Sequence, residues 1–85
     1  MRVIVTKPFE KDYADLPADI RQLTDKKLAI FLENPRYPSL RVKKMEDSRN
    51  IWEASITKSY RFTFQIKDDL FILRRIGTHD ILRNP

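Results

Sequence analysis

The sequence predicts an α+β domain in which a first strand and a helical hairpin precede a curved antiparallel sheet, with the hairpin covering one face. Three observations predict it. Apolar residues recur at helical spacing across residues 9–31, apolar and polar residues alternate after residue 50, and prolines punctuate the junctions instead of clustering in a linker.

The first strand is "RVIVT", residues 2–6. Thr6, Lys7 and Pro8 follow it, and Pro8 reads as a first-turn helix proline, because the amide it lacks has no intrahelical partner there. Phe9, Tyr13 and Leu16 then fall at i, i+4 and i+7, the spacing of one helical face. Pro17 stops this helix by disfavouring helical geometry at the residue before it. The same ring suits the start of a second helix, with Asp19 in its first turn. Ile20, Leu23, Leu28 and Phe31 make the apolar stripe of that helix, and Pro35 and Pro38 of "NPRYP" prevent its continuation.

Four more strands are expected. "LRVKKM" leads into the turn-rich "EDSRN", and "IWEASIT" and "RFTFQI" alternate cleanly on either side of the tight "KSY". A "KDD" turn then leads into "LFILRRI".

Eighty-five residues make one domain, 1–85. A chain of this size buries only roughly 60–65% of the surface its unfolded form exposes, so its stability is expected to be modest. The absence of cysteine removes both a disulfide frame and a thiolate metal site. The apolar run at the start is too short for a signal peptide or a membrane span, so the expectation is a soluble, cytoplasmic protein with no membrane partner. Seventeen Lys and Arg against twelve Asp and Glu give a net charge of +5, which favours a polyanion or an acidic protein as partner.

Strand periodicity places the side chains. In "IWEASIT" the apolar set is Trp52, Ala54 and Ile56, with Glu53, Ser55 and Thr57 opposite; in "RFTFQI" it is Phe62, Phe64 and Ile66, with Arg61, Thr63 and Gln65 opposite. With the dry faces against the helices, Glu53 and Arg61 both emerge on the uncovered side. Arg75, Gly77 and His79 fall on one side of the last strand, subject to a bulge at Gly77. Leu40 and Val42 point inward and Arg41 and Lys43 outward, while Lys44 at the strand end reaches either way. The expected open face therefore carries Lys43, Lys44, Glu53, Arg61, Arg75 and His79.

That set suits metal-independent cleavage of RNA. The reaction needs a base for the 2′-hydroxyl, an acid for the leaving 5′-oxygen, and cations around the pentavalent phosphate. His79, the only histidine, is the expected acid, since imidazole titrates near neutral pH. Glu53 is the expected base, and Arg61 and Lys44 the phosphate clamps, arginine's planar fork matching two oxygens at once. Arg41, Lys43 and Arg75 are expected to contact the RNA. Other chemistries fit less well: one histidine and no cysteine leave zinc without its usual ligands, and Glu46-Asp47 and Asp68-Asp69 read as turn residues. A single glycine excludes a phosphate-cradling loop, and no nucleophile elbow is present. No cofactor and no metal are expected.

Over almost its full length the chain resembles the RelE/ParE superfamily of bacterial and archaeal toxin proteins, on the RelE- and YafQ-like ribonuclease side. The resemblance is carried by the size, the helical hairpin after a first strand, "LRVKKM", "WEASI", "SYRFTFQI" and the closing "RRIGTHD". It implies a small toxin that cleaves messenger RNA, typically in the ribosomal A site, and is held in check by a cognate antitoxin protein. It also implies an antiparallel sheet with a catalytic face. By position, Arg61 matches a family arginine that contacts the scissile phosphate, and His79 sits where members carry an arginine or histidine used as acid. Glu53 falls where relatives have lysine or another polar catalytic residue, and Lys43 and Lys44 lie in a segment that supplies further basic residues. The chain departs from many ribonuclease members in having no aromatic residue after Phe71. Two alternatives stay open at this point: a ParE-like inhibitor of DNA gyrase that is not a nuclease, and an inactive homologue that only binds an antitoxin.

Overall fold

The computed structural model describes residues 2–47 and 49–85. Along the chain run β1 (Arg2–Val5), α1 (Lys7–Ala14), α2 (Ala18–Glu33), a 3₁₀ turn (Pro38–Leu40), β2 (Lys43–Lys44), β3 (Ile51–Ser55), β4 (Tyr60–Lys67), β5 (Leu70–Thr78) and a terminal 3₁₀ segment (His79–Arg83). The expected turn at 46–50 includes Ser48, which lies outside the described residues.

Both helices start where the prolines place them. Thr6 caps α1 by accepting from the Phe9 amide at 3.4 Å, and its hydroxyl donates to the Leu73 carbonyl at 2.8 Å, which fastens the helix start to β5. Pro17 directly precedes α2.

The five strands lie in the order β1-β5-β4-β3-β2. β2 through β5 pair antiparallel, as expected, but β1 pairs parallel with β5, so the sheet is mixed. Only strands joined by short turns must run antiparallel; β1 reaches β5 through a connection of the rest of the domain, and its alternation carries no information on direction. The strand expected at 40–45 shrinks to Lys43–Lys44. Pro38 opens a 3₁₀ turn there, and Arg41 adopts left-handed backbone angles (φ 47°, ψ 47°) that interrupt the extended run.

Phe31 of α2 is fully buried and sits at the centre of the core, its ring 5.3 Å from Phe62, 4.8 Å from Phe64 and 4.5 Å from Phe71. These separations are those of offset and edge-to-face packing. Leu40, Ala54, Leu73 and Ile76 complete the layer between helices and sheet. Ile66, expected to point inward with Phe62 and Phe64, is 44% exposed, since β4 extends past the cover of the helices.

Two features shape the opposite face. A register shift lets Thr63 pair with Arg75 and Phe64 with Leu73, so Arg74 is an extra residue in β5. The bulge is therefore at Arg74 and not at Gly77, and it leaves both arginines between the core residues Leu73 and Ile76. The second feature is the terminal segment, which folds back over the sheet. The Pro85 carbonyl accepts from Thr63 Oγ1 and from Arg74 Nε, each at 3.1 Å. The face expected to be uncovered is thus largely closed: Thr63 and Ile51 are fully buried, and Glu53 and Ser55 are each 8% exposed.

Gly77 owes its place to this fold-back. Its φ is not positive, so neither a turn nor a bulge demands glycine. A Cβ at this position would lie 2.9 Å from Ile81 Cγ2, closer than carbon atoms pack.

Phe31→Ala is expected to lower stability by about 3–5 kcal/mol, read from the urea midpoint. Gly77→Ala is expected to cost about 1–3 kcal/mol through overpacking, and a second substitution, Ile81→Ala, to restore part of it. Equal costs of Gly77→Ala in the wild-type and Ile81→Ala backgrounds would show that the contact is not the cause.

Candidate functional site

The non-core face is organised by three strand registers. Lys43, Glu53, Thr63 and Arg75 stand in one row across β2, β3, β4 and β5. Ser55, Arg61 and Gly77 form the next row, towards the β3–β4 turn. Directly opposed residues in a sheet share a face, so Glu53 and Arg61 are diagonal neighbours, and Glu53 Oε1 lies 3.9 Å from Arg61 Nε.

The Arg61 guanidinium is held from a second side. Its Nη1 donates to the Thr57 carbonyl in a short contact and to the Tyr60 carbonyl at 3.4 Å, and the side chain is only 17% exposed. The turn that supplies these carbonyls is itself locked, because Thr57 Oγ1 accepts from the amides of Ser59 and Tyr60, both at 3.1 Å. With one edge on the turn and Nε towards Glu53, Arg61 keeps Nη2 without a hydrogen-bond partner among the described residues.

His79 is exposed and opens the terminal 3₁₀ segment, two residues beyond Gly77, which is the register partner of Arg61. It forms no hydrogen bond or ion pair among the described residues. His79 thus follows the end of β5 as an exposed residue.

Two other expected site residues stand differently. Lys44 pairs with Trp52, which faces the helices, so the alternation of β2 puts it on the other side of the sheet from Glu53; Lys43 is the lysine beside the carboxylate. Arg75, expected to meet RNA, is engaged inside the protein. Its Nε donates to Asp12 Oδ2 at 2.5 Å, Nη2 to Asp12 Oδ1 at 3.3 Å and Nη1 to the Asn84 carbonyl at 3.2 Å. The hydrogen bond to Asp12 raises the Arg75 pKa above its already high usual value. Nothing in the sequence signals this partner, which is 63 residues away.

Arg41 is exposed and borders a cleft of about 190 Å³ at the turn end of the face, with Ser39, Ser55, Thr57, Lys58 and Arg61. Lys58 is the cation the sequence reading missed; its position in "TKSY", three residues before Arg61, was the available signal. A larger cleft, about 500 Å³, lies among Tyr37, Val42, Trp52, Phe64 and Ile66, and no carboxylate or histidine lines it. No group of three or more His, Cys, Asp or Glu side chains that could hold a metal ion occurs among the described residues, and no described helix is long and apolar enough to cross a membrane.

No protein-family model matches the chain, and no curated protein sequence does. Solved structures share its fold. YafQ from Escherichia coli strain BL21(DE3) aligns with a TM-score of 0.77 at 18% identity, over 96% of this chain and 98% of that one. The YoeB/ParE toxin from Agrobacterium tumefaciens gives 0.76 at 14% identity, over 93% and 99%. A chain of the RelB-RelE antitoxin-toxin complex from Methanococcus jannaschii gives 0.69 at 22% identity, over 95% of both chains. The structural neighbours are RelE, YafQ and ParE toxins of toxin–antitoxin systems, and the α+β fold of this chain is theirs.

Removing Asp12 tests the internal role of Arg75. Asp12→Ala is expected to cost about 2 kcal/mol in a denaturant titration, because a charge-assisted pair and a partner for the Ile76 amide are lost together. In a double-mutant cycle with Arg75→Ala the two losses should be strongly non-additive. Additive losses would mean that the pair contributes nothing as a pair.

Proposed function

We propose that the chain is the toxin of a toxin–antitoxin system, a metal-independent endoribonuclease that cleaves messenger RNA on the ribosome in the cytoplasm. The observation that carries this reading is the meeting of Glu53 and Arg61 at 3.9 Å on one sheet face, with the lone His79 two residues along the chain from Gly77, the register partner of Arg61. The fold shared with RelE and YafQ supports it.

In this mechanism Glu53 takes the proton from the 2′-hydroxyl, and the 2′-oxygen attacks the adjacent phosphorus. Arg61, preorganised by the Thr57 and Tyr60 carbonyls, donates from Nη2 to the phosphate oxygens as negative charge builds in the pentavalent state. His79 gives its proton to the departing 5′-oxygen, so the products are a 2′,3′-cyclic phosphate and a 5′-hydroxyl. Acid–base assistance of this kind typically supplies about 10²- to 10⁴-fold. Lys43, beside Glu53 in register, and Arg41 add positive potential along the strand.

A cognate antitoxin is the protein partner in this reading. A chain of net charge +5 suits an acidic, flexible segment that folds over the basic face and keeps RNA away from it. A similar fold also occurs in the YoeB/ParE toxin, so the nuclease assignment rests on the side chains and not on the fold.

Brief expression of the chain alone is expected to arrest growth and to leave discrete cuts in translated messages, mapped by primer extension. Arg61→Ala, Glu53→Gln and His79→Ala should each lower cleavage by about 10²-fold or more. Intact messages together with DNA-damage signalling and inhibited supercoiling would instead identify a gyrase-directed toxin. Undiminished cutting by His79→Ala would remove the histidine as the acid.

A further inference from the structure

We infer that the cleft between the β3–β4 turn and Arg41 binds a second phosphate of the RNA strand, next to the one held by Arg61, with Lys58 as its main cation. This rests on the ribonuclease reading and extends it from a single scissile phosphate to a two-phosphate footprint.

The cations around this cleft differ from the other arginines of the face. Arg75 is neutralised by Asp12, and Arg74 is occupied by the Gln65 side chain and the Pro85 carbonyl. Arg41 and Lys58 have no carboxylate within ion-pair distance among the described residues, and none of the residues lining the cleft is acidic. Like charges gathered in a cleft without counter-charge attract an anion, and their field is strongest where low-dielectric walls surround them. Lys27 adds to it from behind, donating from Nζ to Ser39 Oγ at 3.1 Å.

The donor set also suits a tetrahedral oxyanion. Arg41 provides a planar fork and Lys58 a mobile ammonium, and the Ser55 hydroxyl lines the cleft without a hydrogen-bond partner among the described residues. Arg61 belongs to both places: it lines the cleft and touches Glu53, so a strand whose scissile phosphate lies on Arg61 leads its neighbouring phosphate into this space. About 190 Å³ equals roughly six water volumes of about 30 Å³, enough for a phosphodiester group.

The scaffold is stiff where it needs to be. The two Thr57 hydroxyl contacts lock the turn that carries Lys58, and the Ile56 amide donates to the Tyr60 carbonyl at 2.9 Å. On the other wall the Arg41 amide donates to the Pro38 carbonyl at 3.2 Å and holds the left-handed residue in place.

The test uses the intact chain and a dinucleoside monophosphate whose attacking sugar is 2′-deoxy, so that it is bound but not cut. This probe is compared with the same molecule carrying an added 5′- or 3′-terminal phosphate. The wild type is expected to bind one of the two phosphorylated forms about 10-fold more tightly than the parent, the gain of one charge-assisted contact. Lys58→Ala, a change at an exposed turn residue, should erase most of that gain and lower the slope of log K against log salt by about one, while Lys58→Arg retains it. Equal affinity for all three probes, or an unchanged gain in Lys58→Ala, overturns the second site and leaves the cleavage reading standing. If the folded wild type binds none of the probes, both readings fall together.

Discussion

The arrangement of this domain turns on one carboxylate. β1 pairs with β5 only as far as Leu73, with the Thr6 amide reaching the Leu73 carbonyl at 3.2 Å as the chain turns into α1. Beyond that point the outer edge of β5 has no strand beside it, and its amides would be left unpaired against a helix. Asp12 of α1 resolves this by accepting from the Ile76 amide at 3.2 Å and from two nitrogens of Arg75. Arg75 in turn donates to the Asn84 carbonyl, so one cluster joins the helix, the strand and the terminal segment.

From this anchoring follows the division of charges on the sheet face. Arg74 and Arg75 both turn to that side at the bulge and, together with the Thr63 hydroxyl, supply donors for the carbonyls of the terminal segment that lies across β4 and β5. Their positive charge is thereby committed to structure. The cations left for a ligand are those farther along the face, towards β2 and the β3–β4 turn: Lys43, Arg41, Lys58 and the exposed part of Arg61. On this face the basic composition thus divides into charge committed to structure and, at Arg41 and Lys58, charge with no carboxylate within ion-pair distance among the described residues.

Burial has a further effect on the pair of Glu53 and Arg61. Glu53 lies at the floor of the face and Arg61 is mostly covered, so their interaction is less screened than that of a surface ion pair. Two carbonyls of a locked turn aim the guanidinium before any substrate arrives, which reduces the reorganisation a phosphate would require.

The two helices, the inward set Trp52, Ala54, Phe62 and Phe64, and the pairing of Glu53 with Arg61 on one face were all legible in the sequence. Each follows from local steric rules, namely proline geometry and the two-residue and 3.6-residue periods. Less was legible at the ends of strands. Lys44 went to the helix side, Arg41 left the extended region, and Arg75 found a partner 63 residues away. Short segments such as these take their conformation from contacts with distant parts of the chain.

What the sequence alone determined was the order and type of the elements and which side chains alternate to which face, because those depend on neighbours within a turn or a strand. What only the tertiary structure decided was the parallel entry of β1, the bulge at Arg74, the need for glycine at position 77 and the closing of the sheet face by residues 79–85. Each of these is set by packing or hydrogen bonding between segments far apart in the chain, and the free energy that selects it appears only when those segments meet.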